Sequence, residues 1–120
     1  IFLPEKQLRK QVMSIQTDST PLEDPKDPTT CNVMKLYRLL ATDDQVQQIE
    51  ALYRAGGYGY GQAKQALYEL ILEQFATPRE RYAYFMAHLD ELDAILKEGA
   101  AKAHKVADET LRRVRAKIGY

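Results

Sequence analysis

The stretch AKQALYELILEQF, residues 63–75, places apolar side chains three and four residues apart for three turns. Such spacing keeps them on one face of an α-helix, whereas a half-buried strand alternates at every second residue. The same spacing recurs in segment after segment of the chain, and alternation at two hardly occurs. We therefore predict an all-α protein with residues 63–75 as its central core helix.

Three helices are predicted before this one. The first follows Pro4 and stops near Thr17, because the polar stretch that comes next contains three prolines, and proline lacks a backbone donor and restricts its predecessor. Residues 17–31 are therefore predicted to form an extended connector. Apolar spacing then resumes and predicts a second and a third helix. Thr42 is suited to cap the third helix, and Gly56 is suited to end it. The expected buried positions are Leu8, Val12, Ile15, Val33, Leu36, Tyr37, Leu40, Val46, Ile49, Leu52 and Tyr53.

Two more helices are predicted after the central one, which gives a bundle of about six. Thr77 and Pro78 combine a capping side chain with a proline at the first helical position. Asp90 is placed to cap a long last helix that runs towards Gly119. A chain of 120 residues has room for one core, so we expect a single domain over residues 1–120. The buried face expected of the fifth helix is Tyr82, Phe85, Met86 and Leu89.

Composition restricts the classes of function. The 28% of residues that are charged cancel to a formal net charge of zero, so any contact with nucleic acid must be confined to one region of the surface. The apolar runs are far shorter than the roughly 18 to 20 residues of a membrane span, and we expect no membrane association. Cys31 is the only cysteine, which fits a reducing, cytoplasmic setting.

No motif in the chain predicts a catalytic, cofactor-binding or metal-binding residue. The glycine-rich residues 56–61 follow a helix and lack the Lys-Ser/Thr ending of a phosphate-binding loop, so we interpret them as a turn between helices. His88 and His104 lie sixteen residues apart without an HExxH pattern. Cys31 has no histidine or acidic partner nearby in sequence and is expected to be buried and inert.

The eight tyrosines divide into two groups. Half of them fall on or beside apolar stripes and are expected in the core or at its rim: Tyr37, Tyr53, Tyr68 and Tyr82. Helical spacing does not explain the other half, which are candidates for a partner-facing role, including stacking on unpaired bases: Tyr58, Tyr60, Tyr84 and Tyr120.

The last helix carries a local excess of positive charge. Between Lys97 and Lys117 there are seven Lys or Arg residues and three acids. Four of the seven follow an acid by four residues, a spacing that stabilises an exposed helix through ion pairs: Asp93 with Lys97, Glu98 with Lys102, Asp108 with Arg112, and Glu109 with Arg113. Lys105, Arg115 and Lys117 have no such neighbour. If RNA contacts this helix, we predict that it does so through these three.

The order of residues along the chain resembles the C-terminal helical region of bacterial tryptophanyl-tRNA synthetases. The resemblance covers nearly all 120 positions. It rests on residues in all parts of the chain: Thr17-Asp18-Ser19, the proline-rich connector, Asn32-Val33, Tyr53, Gly57-Tyr58-Gly59, Lys64, Pro78, Arg81-Tyr82, Leu92, Glu98-Gly99-Ala100 and Lys102-Ala103.

The resemblance implies a function that the residues alone do not. In this class I synthetase family a separate catalytic domain activates tryptophan with ATP and Mg²⁺, the helical region recognises the anticodon arm of tRNA(Trp), and the enzyme is a homodimer. The HxGH-like and KMSKS-like ATP signatures of the family are absent here, so we expect the chain to lack the catalytic domain and to be inactive alone. The alternatives are a free-standing helical protein-interaction module and, less well supported, an enzyme in its own right.

Overall fold

The computed structural model describes residues 1–119. Six α-helices follow one another, and the described residues contain no strand. The helices are Glu5–Met13 (α1), Asn32–Tyr37 (α2), Asp43–Ala55 (α3), Tyr60–Gln74 (α4), Ala76–Ala87 (α5) and Leu89–Ile118 (α6). The all-α class and the six helices predicted from the sequence are confirmed.

The chain divides into two compact units, one over Ile1–Arg79 and the other beginning at Glu80. The core lies in the first unit, where α4 packs against both α1 and α2. As predicted, α4 supplies the largest share of buried side chains, and Tyr53 and Val33 are fully enclosed beside it. The buried hydrophobic residues are Leu8, Val12, Cys31, Val33, Met34, Tyr37, Ile49, Tyr53, Ala63, Leu67, Tyr68 and Leu70. The single domain expected over residues 1–120 stays a prediction.

The connector between α1 and α2 is organised by a buried lysine. The Lys26 side chain is only 4% exposed, and its Nζ donates to the carbonyls of Pro21, Leu22 and Asp24 at 2.8, 3.1 and 3.0 Å. Its backbone N–H donates to the carbonyl of Tyr53 at 2.7 Å. An ammonium has three donors, and here each has an acceptor. The connector is thus folded around Lys26 and tied to the end of α3.

The turn between α3 and α4 contacts the same connector. Gly56 has a φ of 79°, in the region that favours glycine, and a β-carbon added there would lie 2.3 Å from the carbonyl oxygen of Glu23. The N–H of Gly57 donates to the carbonyl of Leu22 at 3.0 Å, and that of Gly59 to the side chain of Gln62 at 2.8 Å. These contacts agree with a turn between helices and occupy amides that a phosphate cradle would need.

We expect Gly56→Ala to destabilise the protein by about 3 kcal/mol, because it combines a strained φ, worth about 1 to 2 kcal/mol, with a steric clash. Gly57→Ala is the matched control. Gly57 also has a positive φ, of 75°, but its added β-carbon would meet nothing within 4 Å, so we expect a cost of only about 1 kcal/mol. Urea unfolding of both variants measures the difference, and equal losses would contradict the close approach to Glu23.

In the first unit, one helix ends earlier than predicted and two residues predicted to be buried are exposed. α1 ends at Met13, four residues before Thr17, and Lys64 Nζ donates to the Met13 carbonyl at 3.1 Å. The cap at Thr42 is confirmed, with Gln45 completing a capping box. Leu36 and Leu52 are 44% and 45% exposed. The prediction that they are buried is wrong because each lies at the edge of its helix's apolar face, which the neighbouring helices leave uncovered.

The caps predicted for the last two helices are also wrong. α5 begins at Ala76, before Thr77, because the Phe75 carbonyl already accepts from the N–H of Arg79 at 2.9 Å. α6 begins at Leu89, one residue before Asp90, because the His88 carbonyl accepts from the Leu92 N–H at 3.2 Å. Three of the four residues predicted to form the buried face of the fifth helix are instead about half exposed, and the last of them belongs to α6: Tyr82, Met86 and Leu89.

Candidate nucleic-acid interface

The candidate interface lies on α6, which is 30 residues and about 45 Å long. None of its described residues is buried. Its C-terminus is closed by Gly119, whose φ of 84° is left-handed, as is common after the last helical residue. The seven basic side chains are therefore presented on a single regular helix, so the helical period of 100° per residue fixes their directions.

Two of the four ion pairs predicted along α6 are present. Lys97 Nζ lies 2.7 Å from an Asp93 carboxylate oxygen, and Lys102 Nζ lies 2.6 Å from that of Glu98. All four side chains are largely exposed, so each pair contributes only a few tenths of a kcal/mol to stability. These pairs nevertheless partly engage the charges of Lys97 and Lys102.

The other two predicted pairs are not formed in the described part of α6. The Asp108 carboxylate contacts His104 Nε2 at 3.2 Å, and Arg112 Nε donates to the Asp108 main-chain carbonyl at 3.4 Å instead. No ion pair joins Glu109 to Arg113 among the residues that the structure describes. Sequence spacing predicted that the Asp108 carboxylate pairs with Arg112. In the structure that carboxylate pairs with His104 instead.

Arg112 belongs with two of the residues predicted to contact RNA. Arg112 lies seven positions after Lys105, which places the two side chains about 20° apart around the helix. Arg115 lies about 60° around the helix from Arg112. We call Lys105, Arg112 and Arg115 the basic strip. Asp108 lies on the same side, so the formal charge of this surface is about +2 with His104 neutral. The strip is exposed along its whole length.

Lys117 lies elsewhere on the helix. It is about 160° around the axis from Arg115 and about 120° from Lys105. The structure therefore brings together Lys105 and Arg115 but not Lys117, and the three cannot contact the same phosphate. The sequence did not predict Arg112 as a contact residue, because Asp108, four residues earlier, was expected to pair with it. His104 is also four residues from Asp108 and competes for the same carboxylate.

A cluster of polar and aromatic side chains lies where α5 passes into α6. The ring of Tyr84 stacks on that of His88, with centroids 4.2 Å apart, and its hydroxyl donates to Glu91 at 2.6 Å. This hydrogen bond raises the pKa of Tyr84, because the carboxylate stabilises the protonated phenol. Tyr84 is about half exposed, in agreement with a partner-facing role.

The remaining tyrosines are divided differently from the prediction. Tyr58 and Tyr60 are half-buried, with ring centroids 5.9 and 6.0 Å from that of Tyr53. Burial and a hydrogen bond to Asp18 raise the pKa of Tyr60 to about 12. Both therefore belong to the rim of the core. Tyr82, predicted for the core or its rim, is 45% exposed, and Tyr120 lies outside the described residues.

The predictions about metal ligands and Cys31 can also be compared with the structure. Residues 1–119 contain no group of three or more His, Cys, Asp or Glu side chains placed to hold a metal ion. Cys31 is buried, as predicted, and its Sγ lies 3.4 Å from the Tyr53 hydroxyl. None of the described helices is both long and apolar enough to cross a bilayer.

Comparison with known proteins finds that the chain is similar to one family of enzymes. It is 44% identical over 119 residues to tryptophan–tRNA ligase of Rhodopirellula baltica and 42% identical to that of Campylobacter jejuni. The crystal structure of the Campylobacter jejuni tryptophanyl-tRNA synthetase matches all of the chain with a TM-score of 0.90. The chain is a homologue of tryptophan–tRNA ligases. No family model matches it.

The chain spans a little over a third of these ligases. It covers 37% of the Rhodopirellula baltica and Campylobacter jejuni sequences and 39% of the chain in the Campylobacter jejuni structure. A second structure of that synthetase is a complex with ADP and tryptophan. The resemblance drawn from the residues alone is confirmed, and the larger part of each ligase relative has no counterpart in the 120 residues.

Proposed function

We propose that this chain is the helical C-terminal region of a tryptophan–tRNA ligase and that it recognises the anticodon arm of tRNA(Trp) in the cytoplasm. The observation that carries the proposal is the 44% identity to a tryptophan–tRNA ligase over 99% of the chain. The catalytic domain, which uses ATP and Mg²⁺, then lies in the part of the polypeptide outside these residues, and the full-length enzyme is a homodimer.

The basic strip gives this proposal a physical mechanism. Lys105, Arg112 and Arg115 project from one side of an exposed helix, as phosphate-binding side chains do. Lys117, on another side of the last turn, contacts a separate phosphate. Contacts of this kind position the RNA but do not read its bases. Tyr84, exposed and with its ring held by stacking and by Glu91, offers a face on which an unpaired base can stack.

Replacing the basic strip tests the proposal in the full-length ligase. Each phosphate contact releases counterions, so Lys105→Ala, Arg112→Ala and Arg115→Ala together should weaken tRNA binding and reduce the log-log salt slope by about two units. Lys117→Ala alone should reduce it by less than about one unit. Amino-acid activation, which does not involve tRNA, should not change. Filter binding at several salt concentrations measures both quantities.

The matched control is the pair Lys97→Ala and Lys102→Ala. These cations lie on the same helix but are engaged by Asp93 and Glu98, so their loss should have a smaller effect on the salt slope. If the triple variant of the basic strip binds tRNA with unaltered affinity and slope, α6 is a structural element only, and the alternative of a protein-interaction module gains support.

The 120-residue chain alone should catalyse no tryptophan-dependent exchange of pyrophosphate into ATP. The described residues form no cluster of acids, histidine or cysteine able to hold a metal ion, and neither ATP signature of the family occurs in the sequence. The purified chain, assayed with ATP, Mg²⁺ and tryptophan, should stay at background. A rate that rises in proportion to the concentration of the chain would overturn the assignment of catalysis to another domain.

A further inference from the structure

α6 has two sides of different character. Its apolar residues recur at three and four residues from one end to the other, and they form one continuous stripe about 160° wide. All the larger ones except Leu92, which is half-buried, are exposed, including Val106 at 67%. We call this surface the apolar stripe, and its principal members are Leu89, Leu96, Ala103, Val106, Val114 and Ile118.

The charged residues of α6 lie outside the apolar stripe or at its border, except Lys117 in the last turn. The ion pairs Lys97 with Asp93 and Lys102 with Glu98 lie along its two borders or beyond them, and the basic strip lies on the far side of the helix. Glycine or alanine occupies the middle of the stripe at Gly99, Ala103 and Ala107. A surface of this shape and polarity fits packed protein, not the phosphates of RNA.

The size of the apolar stripe decides between two protein occupants. It is about 45 Å long and, at about 160° of a helix about 10 Å across, about 14 Å wide, or about 600 Å². A stable dimer buries about 800 Å² on each partner, so a second copy docked only here would be held weakly. A domain on the same polypeptide needs less area, because its tether gives it a high effective concentration. More than half of each ligase relative lies outside the region matched by this chain.

We propose that the apolar stripe of α6 from Leu89 to Val114 docks against the catalytic domain of the same polypeptide and that the opposite side, with the basic strip, faces tRNA. Lys117, in the last turn, lies beyond the docked part. This inference rests on the proposed function for the identity of the occupant. It assigns two roles to two sides of one helix, so that a single rigid element links the RNA-binding surface to the domain that carries out the chemistry.

Alkylation of introduced thiols tests this assignment. Ala103 lies in the middle of the apolar stripe and Ala101 about 160° away, and both are exposed in the structure. Ala103→Cys and Ala101→Cys are therefore matched substitutions two residues apart, small enough to leave the helix intact, and Cys31 adds little background because it is buried. In the full-length ligase without tRNA, we expect alkylation at position 103 to be at least about tenfold slower than at position 101.

Three outcomes separate the occupants. Equal rates at both positions in the full-length ligase overturn the docking proposal. Protection at position 103 that persists in the 120-residue chain and increases with its concentration overturns it in favour of a second copy. Protection of position 103 in the full-length ligase but not in the 120-residue chain, at all protein concentrations, supports the docking proposal. Because the labelling is done without tRNA, failure of the proposed RNA contact would appear separately, as an unaltered salt slope for the basic strip variant.

As a second measurement, Ala103→Glu should lower the melting temperature of the full-length ligase by at least about 4 °C, because it introduces a carboxylate into an apolar contact. Ala101→Glu, on the opposite side, should shift it by less than about 1 °C. In the 120-residue chain, where both positions are exposed, the two substitutions should have the same small effect. A full-length ligase that tolerates glutamate equally at both positions would contradict the proposal.

Discussion

Tyr53→Ala should destabilise the protein by about 4 kcal/mol, the typical cost of truncating a buried aromatic side chain to alanine. The Tyr53 ring is fully buried and contacts the rings of Tyr58 and Tyr60. Its loss leaves a cavity where α3 meets the start of α4. Urea denaturation followed by circular dichroism measures the change, and a loss below about 2 kcal/mol would show that the neighbouring rings close over the cavity.

Tyr53→Phe separates the ring from its hydroxyl. Among residues 1–119 the hydroxyl has one hydrogen-bonding partner, the Cys31 thiol at 3.4 Å. A thiol is a weak partner, so the cost should be below about 1 kcal/mol. Burial raises the pKa of Tyr53 far above its usual value of 10.0. In the unfolded chain this phenol ionises near pH 10, so the folded state loses relative stability as the pH rises above 10. Tyr53→Phe should therefore lose less stability between pH 10 and 11 than the parent protein.

Helices with a covered apolar face were the most predictable part of the fold. The spacing of residues 63–75 correctly identified α4 as the centre of the core, and Thr42 correctly marked the start of α3. In both cases local pattern and tertiary packing agree, because the apolar face that the sequence shows is the face that neighbouring helices bury. Such a pattern identifies a helix and its approximate position even where the last turn of the helix differs from the prediction.

The same pattern was misleading where no neighbouring helix covers it in the structure. α6 carries apolar spacing at least as regular as that of α4, yet none of the described residues of α5 or α6 is buried. Spacing shows which side of a helix is apolar but not what covers that side. The exchange of partners at Asp108 has a similar origin, because His104 and Arg112 are both four residues from it, and sequence spacing gives them equal access.

Lys26 was not predicted at all, since a lysine in a proline-rich polar stretch is usually exposed. Its partners are backbone carbonyls of Pro21, Leu22 and Asp24, which every sequence possesses. Only the path of the folded connector brings three of them to one point. No arrangement of side chains in the sequence could have identified this contact, although the connector itself was predicted from its prolines.

Lys26→Met should destabilise the protein by about 3 kcal/mol. Methionine has nearly the length of lysine but no donor, so the substitution removes three charged hydrogen bonds and leaves their carbonyls in a site that is 4% exposed. Hydrogen bonds to charged groups contribute about 1.5 to 3 kcal/mol, and an unsatisfied buried acceptor costs a further 1 to 3 kcal/mol. Loss of the contact with the Tyr60 ring, 5.5 Å from Nζ, adds to the effect. These values do not add, because the three bonds share one ammonium and water can reach the carbonyls of the released connector, so the expected cost is well below their sum.

The control is Lys35→Met on α2, where the lysine is exposed and its Nζ donates to Asn32 at 3.5 Å. Its cost should be within about 0.5 kcal/mol. Limited proteolysis adds a local measurement, because cleavage between residues 17 and 31 should become faster in Lys26→Met and not in Lys35→Met. If both variants unfold at the same urea concentration and resist cleavage equally, the connector is held by Gly56, Gly57 and Tyr60 without the buried ammonium. Otherwise, Lys26 is the residue that converts a proline-rich segment into an ordered part of the first unit.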